Sequence, residues 1–125
     1  MAGKTVLIDL HGCNPHHISN VNRLYSLLVE VPAMIQMTPI SAPTIAEAKP
    51  PTVEPKEWGY SGNVLFAESH LYFHTWPEHR KMWVDITSCK PATLDPVAVG
   101  NVLKTLFGAK EVVYRVAIRD EKRES

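Results

Sequence analysis

Apolar and polar positions along the chain follow two different periods, one typical of strands and the other of helices. Residues 4–10 form a short run rich in Val, Leu and Ile, which predicts a first strand. Asn14 and Pro15 then predict the start of a helix, as cap and first-turn residue, and Pro32 predicts its end. Its apolar stripe recurs at spacings of three and four residues and consists of Ile18, Val21, Leu24, Tyr25 and Leu28.

The middle of the chain predicts strands on both sides of a long loop. Residues 33–40 are compatible with a second strand, and residues 41–57 hold four prolines with little apolar periodicity. A loop of that length in a compact domain is usually functional or disordered. Three strand-like segments follow, at 60–68, 70–76 and 81–89.

The last third predicts one more helix and one more strand. Asp95 and Pro96 are suited to the cap and first turn of a helix, and Gly108 is suited to its end. Residues 111–118 then form a last apolar strand. The order of elements predicts an α+β fold, a two-layer α/β sandwich in which an antiparallel sheet has two helices packed on one face. We expect a single domain spanning residues 1–125.

Composition excludes several functional classes. Thirteen basic residues balance thirteen acidic ones, so no net field favours nucleic acid or an anionic membrane. No apolar run approaches the roughly 20 residues needed to cross a bilayer. The first residues place Asp9 inside a short apolar run, which is a poor secretory signal. With only Cys13 and Cys89 as thiols, the chain is expected to be cytoplasmic rather than built on disulfides.

Residues 68–78, ESHLYFHTWPE, concentrate reactive side chains: a hydroxyl, two imidazoles and two carboxylates. The six histidines match no zinc-binding spacing, so no metal site is predicted. The segment also lacks the glycine-flanked elbow of serine hydrolases. Ser69 and His74 are five residues apart and would face opposite sides of a flat strand. If they share a site, the chain turns or bulges between them, or Ser69 lies at a strand end.

The stretch GYSGNVLFAESHLYFHTWPE, followed by VDITSC, resembles the prokaryotic S-adenosylmethionine decarboxylase proenzyme family. A glycine-flanked serine, then ESH, then HTWPE, then an Asp and a Cys occur in the family's order. The resemblance is strongest over residues 59–89 and is traceable through the first strand and helix, where DLHGC replaces a more usual acidic and aromatic run.

This resemblance implies that the chain cleaves itself between Glu68 and Ser69. The Ser69 hydroxyl would attack the carbonyl of Glu68 and convert the peptide into an ester, held in place by the folded turn. Ser61 would hydrogen-bond the oxyoxazolidine intermediate, and His74 would remove the Cα proton of Ser69. Elimination would then leave a pyruvoyl group derived from Ser69 as the cofactor.

The family resemblance also implies the reaction and its partners. The pyruvoyl carbonyl would form a Schiff base with S-adenosylmethionine and act as electron sink during loss of carbon dioxide, giving the aminopropyl donor for spermidine biosynthesis. Cys89, mostly a thiol at neutral pH, would reprotonate the carbanion, and Glu78 would bind the ribose hydroxyls. A single small sheet gives a shallow pocket, so a homodimer of cleaved protomers is expected.

Two alternatives follow from departures from the family pattern. Family members usually carry an aromatic residue just before the glycine-flanked serine, and here only Trp58 or Tyr60 is available to stack on adenine. Acidic residues in the preceding loop would suit a sulfonium, but equally the side-chain cation of arginine or ornithine. The rivals are therefore a pyruvoyl-dependent arginine or ornithine decarboxylase on the same scaffold, and a binding paralogue that never processes.

Overall fold

The structure is a computed structural model and describes residues 3–48 and 57–119. Within them the elements are β1 (Gly3–His11), α1 (Val21–Met34), β2 (Thr44–Ala48), β3 (Gly59–Phe66), β4 (Ser69–Trp76), β5 (Lys81–Ser88), α2 (Pro96–Phe107) and β6 (Glu111–Arg119). Every pair of neighbouring strands is antiparallel, and the sheet order is β2-β3-β4-β5-β1-β6. This confirms the predicted fold class.

Alternation along the central strands separates the two faces of the sheet. On β1, Val6, Ile8 and Leu10 are fully buried, whereas the residues between them are partly or largely exposed. The buried set joins one hydrophobic cluster with the inner faces of α1 and α2, such as Leu28 and Leu103. Both helices therefore cover the same face of the sheet, and the other face carries no helix among the described residues.

The first helix begins later and ends later than the sequence predicted. Asn14 is not its cap, because the Asn14 side chain accepts the amide of His16 in a separate turn. Asn20 caps the helix instead, accepting the backbone N–H groups of Asn22 and Arg23. Pro32 lies inside the last turn rather than beyond it. Its missing N–H affects a single bond near the helix end, so the helix continues to Met34.

The predicted strand at 33–40 is wrong, and the second strand lies in the segment predicted as a loop. Residues 33 and 34 complete α1, and Gln36 leaves it with a φ of 58°. The strand that follows, β2, pairs with β3 because Ile45 can pack against the core opposite Gly62. Residues 49–56 of the predicted loop lie outside the described residues.

The second helix matches its prediction in detail. The Asp95 side chain accepts the N–H groups of Val97 and Ala98, Pro96 occupies the first turn, and Gly108 ends the helix at a φ of 62°. Because these signals come from neighbouring residues, the helix could be predicted without knowing any tertiary contact. No helix in the described ranges is both long and apolar enough to cross a membrane.

Candidate active site

The face of the sheet opposite the helices, which we call the open face, holds most of the reactive side chains. On β4, Leu71 and Phe73 are buried toward the helices. Strand alternation therefore turns His70, Tyr72 and His74 to the open face. Residues paired across antiparallel strands share a face, so the partners of this set on β3 and β5 lie there too. These partners are Ser61, Asn63, Leu65, Trp83, Asp85 and Thr87.

Ser61 and His74 form one half of the candidate site. They are register partners on β3 and β4, and Ser61 Oγ lies 2.5 Å from His74 Nδ1. The Trp76 ring packs against the His74 ring, with centroids 4.2 Å apart. Burial lowers the pKa of His74, an effect opposed by the charge of Glu57. The imidazole is therefore held neutral, as a proton acceptor requires.

Ser69 and Cys89 form the other half, at the opposite end of β4. Ser69 is the first residue of β4, directly after the two-residue turn Ala67–Glu68 that joins it to β3. Neither Ala67 nor Glu68 has a positive φ. The turn is therefore not one of the type I′ or II′ turns that best match the twist of the two strands. The amide of Cys89 donates to the carbonyl oxygen of Glu68 at 3.1 Å. The carbonyl next to Ser69 is thus polarised by a backbone donor.

The Glu68 side chain fixes this turn to two neighbouring segments. Its carboxylate accepts the amide of Thr38 at 2.9 Å and lies 3.0 Å from the Lys90 ammonium. The Thr38 amide, followed by Lys90, lowers the pKa of Glu68. The carboxylate therefore stays charged at neutral pH and holds the Ala67–Glu68 turn against the segment that carries Lys90 and Cys89.

The two halves do not meet within one chain. Ser69 and His74 lie five residues apart along one strand, a separation of about 16 Å. Ser69 lies at a strand end, one of the arrangements anticipated above, but the structure does not bring it near its own His74. Its nearest imidazole contact is with the adjacent His70, whose Nδ1 lies 3.2 Å from Ser69 Oγ.

Glu78 lies beyond β4, at the end of the sheet that also carries His74. It sits in a 3₁₀ turn, Pro77–His79, and lines a cavity of about 360 Å³ together with Trp58, His16 and Arg80. Trp58 and Tyr60 are in edge-on contact, with ring centroids 5.9 Å apart. A larger cavity of about 440 Å³ between the helices is lined by Glu30 and Leu106 and includes none of the predicted site residues.

The two thiols have contrasting surroundings. Cys89 is exposed, whereas Cys13 is fully buried, and burial raises the pKa of Cys13 to about 11. Only Cys89 is accessible to a small molecule. Among the described residues, no group of three or more His, Cys, Asp or Glu side chains is arranged to hold a metal ion.

Sequence reasoning missed three contributors to the Ser69 end of the site. These are the backbone amide of Cys89, the Glu68 partners Thr38 and Lys90, and the contact between His70 and Ser69. The ESH motif includes His70, but the sequence does not indicate which side chain the His70 ring contacts. Thr38 lies thirty residues before Glu68, so no local signal in the sequence could have found it.

Known proteins similar to this chain identify its family. Residues 4–120 match the family described as S-adenosylmethionine decarboxylase. The chain belongs to this family. Of the relatives named S-adenosylmethionine decarboxylase proenzyme, one from Carboxydothermus hydrogenoformans is 33% identical over 108 residues, covering 86% of this chain and 78% of the relative. Another, from Clostridium botulinum, is 29% identical over 118 residues, 94% of each chain.

A solved structure supports the same assignment. The adenosylmethionine decarboxylase from Aquifex aeolicus superposes with a TM-score of 0.78 at 28% identity, over 98% of this chain and 94% of that one. All six predicted site residues of this S-adenosylmethionine decarboxylase family member fall inside the matched range, 4–120. They are Ser61, Glu68, Ser69, His74, Glu78 and Cys89.

Proposed function

We propose that this protein is a self-processing, pyruvoyl-dependent decarboxylase of S-adenosylmethionine that supplies the aminopropyl donor for spermidine biosynthesis. The observation that supports it most is the position of Ser69, which opens β4 beside a carbonyl already held by the Cys89 amide. An adjacent hydroxyl attacks such a carbonyl more readily, because a donor stabilises the oxyanion that forms. Family membership supports S-adenosylmethionine, rather than arginine or ornithine, as the substrate.

Self-processing begins with Ser69 Oγ attacking the carbonyl carbon of Glu68. The Glu68 oxygen gains negative charge in the tetrahedral intermediate and accepts the Cys89 N–H. Collapse breaks the bond to the Ser69 nitrogen and leaves an ester. Removal of the Ser69 Cα proton then expels the Glu68 carboxylate and leaves a dehydroalanine at residue 69. Its imine tautomer takes up water and releases ammonia to give the terminal carbonyl, so the 125-residue chain ends as fragments of 68 and 57 residues.

The proton acceptor for that elimination comes from a second copy of the chain. We infer this because His74, held neutral by burial, lies about 16 Å along the strand from its own Ser69. If two sheets packed face to face about a two-fold axis near Tyr72, the Ser69 end of β4 in one protomer would lie opposite the His74 end of β4 in the other. The partner's Ser61 and His74 would then reach Ser69.

The open face is suited to that packing. Four of its side chains are large, apolar and exposed: Leu7 at 37%, Leu65 at 41%, Tyr72 at 43% and Trp83 at 46%. Alternation and strand pairing place all four on the side away from the helices. Several large apolar side chains exposed on one face of a monomer often mark an interface. We therefore propose a homodimer in which each site takes residues from both protomers.

The residues present fit a pyruvoyl group, because Ser69 is accessible at the strand end with an exposed thiol, Cys89, beside it. Such a group supplies an electron sink that accepts the electron pair when carbon dioxide leaves. Cys89 would return a proton to the substrate carbon. Glu78 would accept hydrogen bonds from the ribose hydroxyls, and Trp58 would stack on adenine in the same cavity.

Two measurements test the function. Denaturing mass spectrometry of the purified protein should show fragments of 68 and 57 residues, the smaller beginning with a carbonyl that reacts with hydrazine. A chain that remains intact would indicate a binding paralogue instead. Release of labelled carbon dioxide from S-adenosylmethionine, arginine and ornithine then identifies the substrate. Turnover of an amino acid without turnover of S-adenosylmethionine would overturn the proposal.

A further inference from the structure

Ser69 lies beside an imidazole that the proposed function leaves without a role. Ser69 Oγ is 3.2 Å from His70 Nδ1, the next residue along the chain. Successive side chains of a regular strand point to opposite faces and do not meet. The contact exists because Ser69 is the first residue after the Ala67–Glu68 turn, so its side chain can approach the open face where His70 lies.

The His70 ring is held in this position by its neighbours. It contacts the Tyr72 ring, with centroids 4.9 Å apart and planes at 58°. Leu65 on β3 and Thr87 on β5 are its register partners on either side. The ring is partly buried between them. The Tyr72 contact and partial burial limit the motion of the ring beside the hydroxyl, which reduces the entropy lost in reaching a reactive geometry.

The first step of processing needs a proton acceptor at that atom. A serine hydroxyl is a weak nucleophile until a base takes its proton. His74 is unsuited to this step within its own chain, since its Nδ1 contacts Ser61 at the other end of the strand. The other candidate near Ser69, the Glu68 carboxylate, is already engaged by Thr38 and Lys90.

We propose that His70 is the catalytic base of the first step, the conversion of the Glu68–Ser69 peptide into an ester; this rests on the proposed self-processing. His70 Nδ1 takes the Oγ proton as Oγ bonds to the Glu68 carbonyl carbon. The π electrons of the carbonyl move to its oxygen, beside the Cys89 N–H. The imidazolium then protonates the Ser69 nitrogen as the carbon–nitrogen bond breaks. The result is an ester and a free amine, with His70 neutral again.

The proposal separates two imidazoles by step. His70 acts on the Oγ proton, and the partner's His74 acts later on the Cα proton. A His74→Ala chain should therefore stop at the ester, which hydroxylamine cleaves to give a Glu68 hydroxamate. An intact amide does not react under the same mild conditions. Hydroxylamine thus reports the first step alone.

The experiment uses full-length chains made by cell-free translation, so that processing can be timed from synthesis. His74→Ala is compared with His74→Ala/His70→Asn, in which the amide oxygen can accept a hydrogen bond but not a proton. Loss of a general base should slow hydroxylamine cleavage at the 68–69 bond by about 100-fold or more. His74→Ala/His11→Asn is the matched control, because His11 lies exposed at the end of β1, and it should react at the unmodified rate.

A rescue measurement covers the case in which His70→Asn does not fold. In an otherwise unmodified chain, His70→Ala leaves a space beside Ser69, and free imidazole should restore cleavage in proportion to its concentration. Equal hydroxylamine rates with and without His70, or no response to imidazole, would overturn the assignment. If the unmodified chain is still cut, the proposed function stands even when the His70 assignment fails. An unmodified chain that is never cut refutes both the proposed function and the His70 assignment.

Discussion

The backbone amide of Cys89 donates to the carbonyl oxygen of Glu68 at 3.1 Å, so the residue after β5 is bound to the peptide that the proposed cleavage breaks. It belongs to the main chain, so the Cys89 side chain is not needed to make it. The thiol itself is exposed and free for a separate task. Under the proposed mechanism, one residue would support processing through its amide and decarboxylation through its sulfur.

Replacing Cys89 by Ala should separate these two tasks. The amide remains, so the chain should still be cut between residues 68 and 69 within a few-fold of the normal rate. Decarboxylation should fall by about 100-fold or more, since no acid is left to reprotonate the substrate carbon. Both are measured on one preparation, by mass spectrometry and by carbon dioxide release. Cys13→Ala, a change at the buried thiol, is the control, and full decarboxylation by Cys89→Ala would remove its sulfur from the mechanism.

Mixing two inactive chains should restore cleavage if the site is shared between protomers. Ser69→Ala lacks the nucleophile and His74→Ala lacks the acceptor, so neither homodimer is cut. In a mixed dimer the Ser69 of the His74→Ala chain meets the partner's intact His74. With equal amounts and random pairing, about half of the His74→Ala chains should be cut and no Ser69→Ala chain.

The control for this mixture is the double variant Ser69→Ala/His74→Ala paired with His74→Ala. It forms the same dimers but supplies no intact His74, so neither chain should be cut. Distinguishable tags allow each chain to be followed by mass. Folded, mixed dimers without any cleavage would contradict the shared site.

The ion pair between Lys90 and Glu68 should affect the rate of processing, but processing should not require it. The Lys90 side chain is 48% exposed, so water and salt screen its pair with Glu68 and the pair is weak. Lys90→Met should therefore slow cleavage by about two- to fivefold, and Lys90→Arg should not. Because salt screens exposed charges, raising the ionic strength should slow the unmodified chain but not Lys90→Met. A loss far beyond tenfold would indicate another role for Lys90.

Much of the fold could be predicted because its signals are local. Asp95, Pro96 and Gly108 define α2 from neighbouring residues alone. The start of α1 was mistaken because Asn14 and Asn20 are both competent caps, and only the turn made by Asn14 in the folded chain decides between them. The edge strand β2 was missed because its pairing with β3 depends on tertiary burial of Ile45.

The residues of the candidate site could be named from the sequence, but their grouping could not. Motif order places Ser61, Ser69 and His74 in one short stretch. The register of the β3–β4 hairpin pairs Ser61 with His74 and leaves Ser69 at the turn. That separation follows only when the turn is placed at Ala67–Glu68. The contacts of Glu68 with Thr38 need the full fold.

The pH dependence of the elimination step should report the depressed pKa of His74. Burial favours the neutral imidazole, so the group stays an acceptor as pH falls through 6.5, the usual histidine value, and is lost only at a lower pH. The rate of elimination, followed between pH 5 and 8 as the conversion of hydroxylamine-reactive ester into cut chain, should thus be level past pH 6.5 before it declines. The Glu57 charge raises the pKa of His74, so Glu57→Gln should move the decline to still lower pH. A decline centred at or above pH 6.5, or an upward move in Glu57→Gln, would show that His74 is not held neutral as its surroundings indicate.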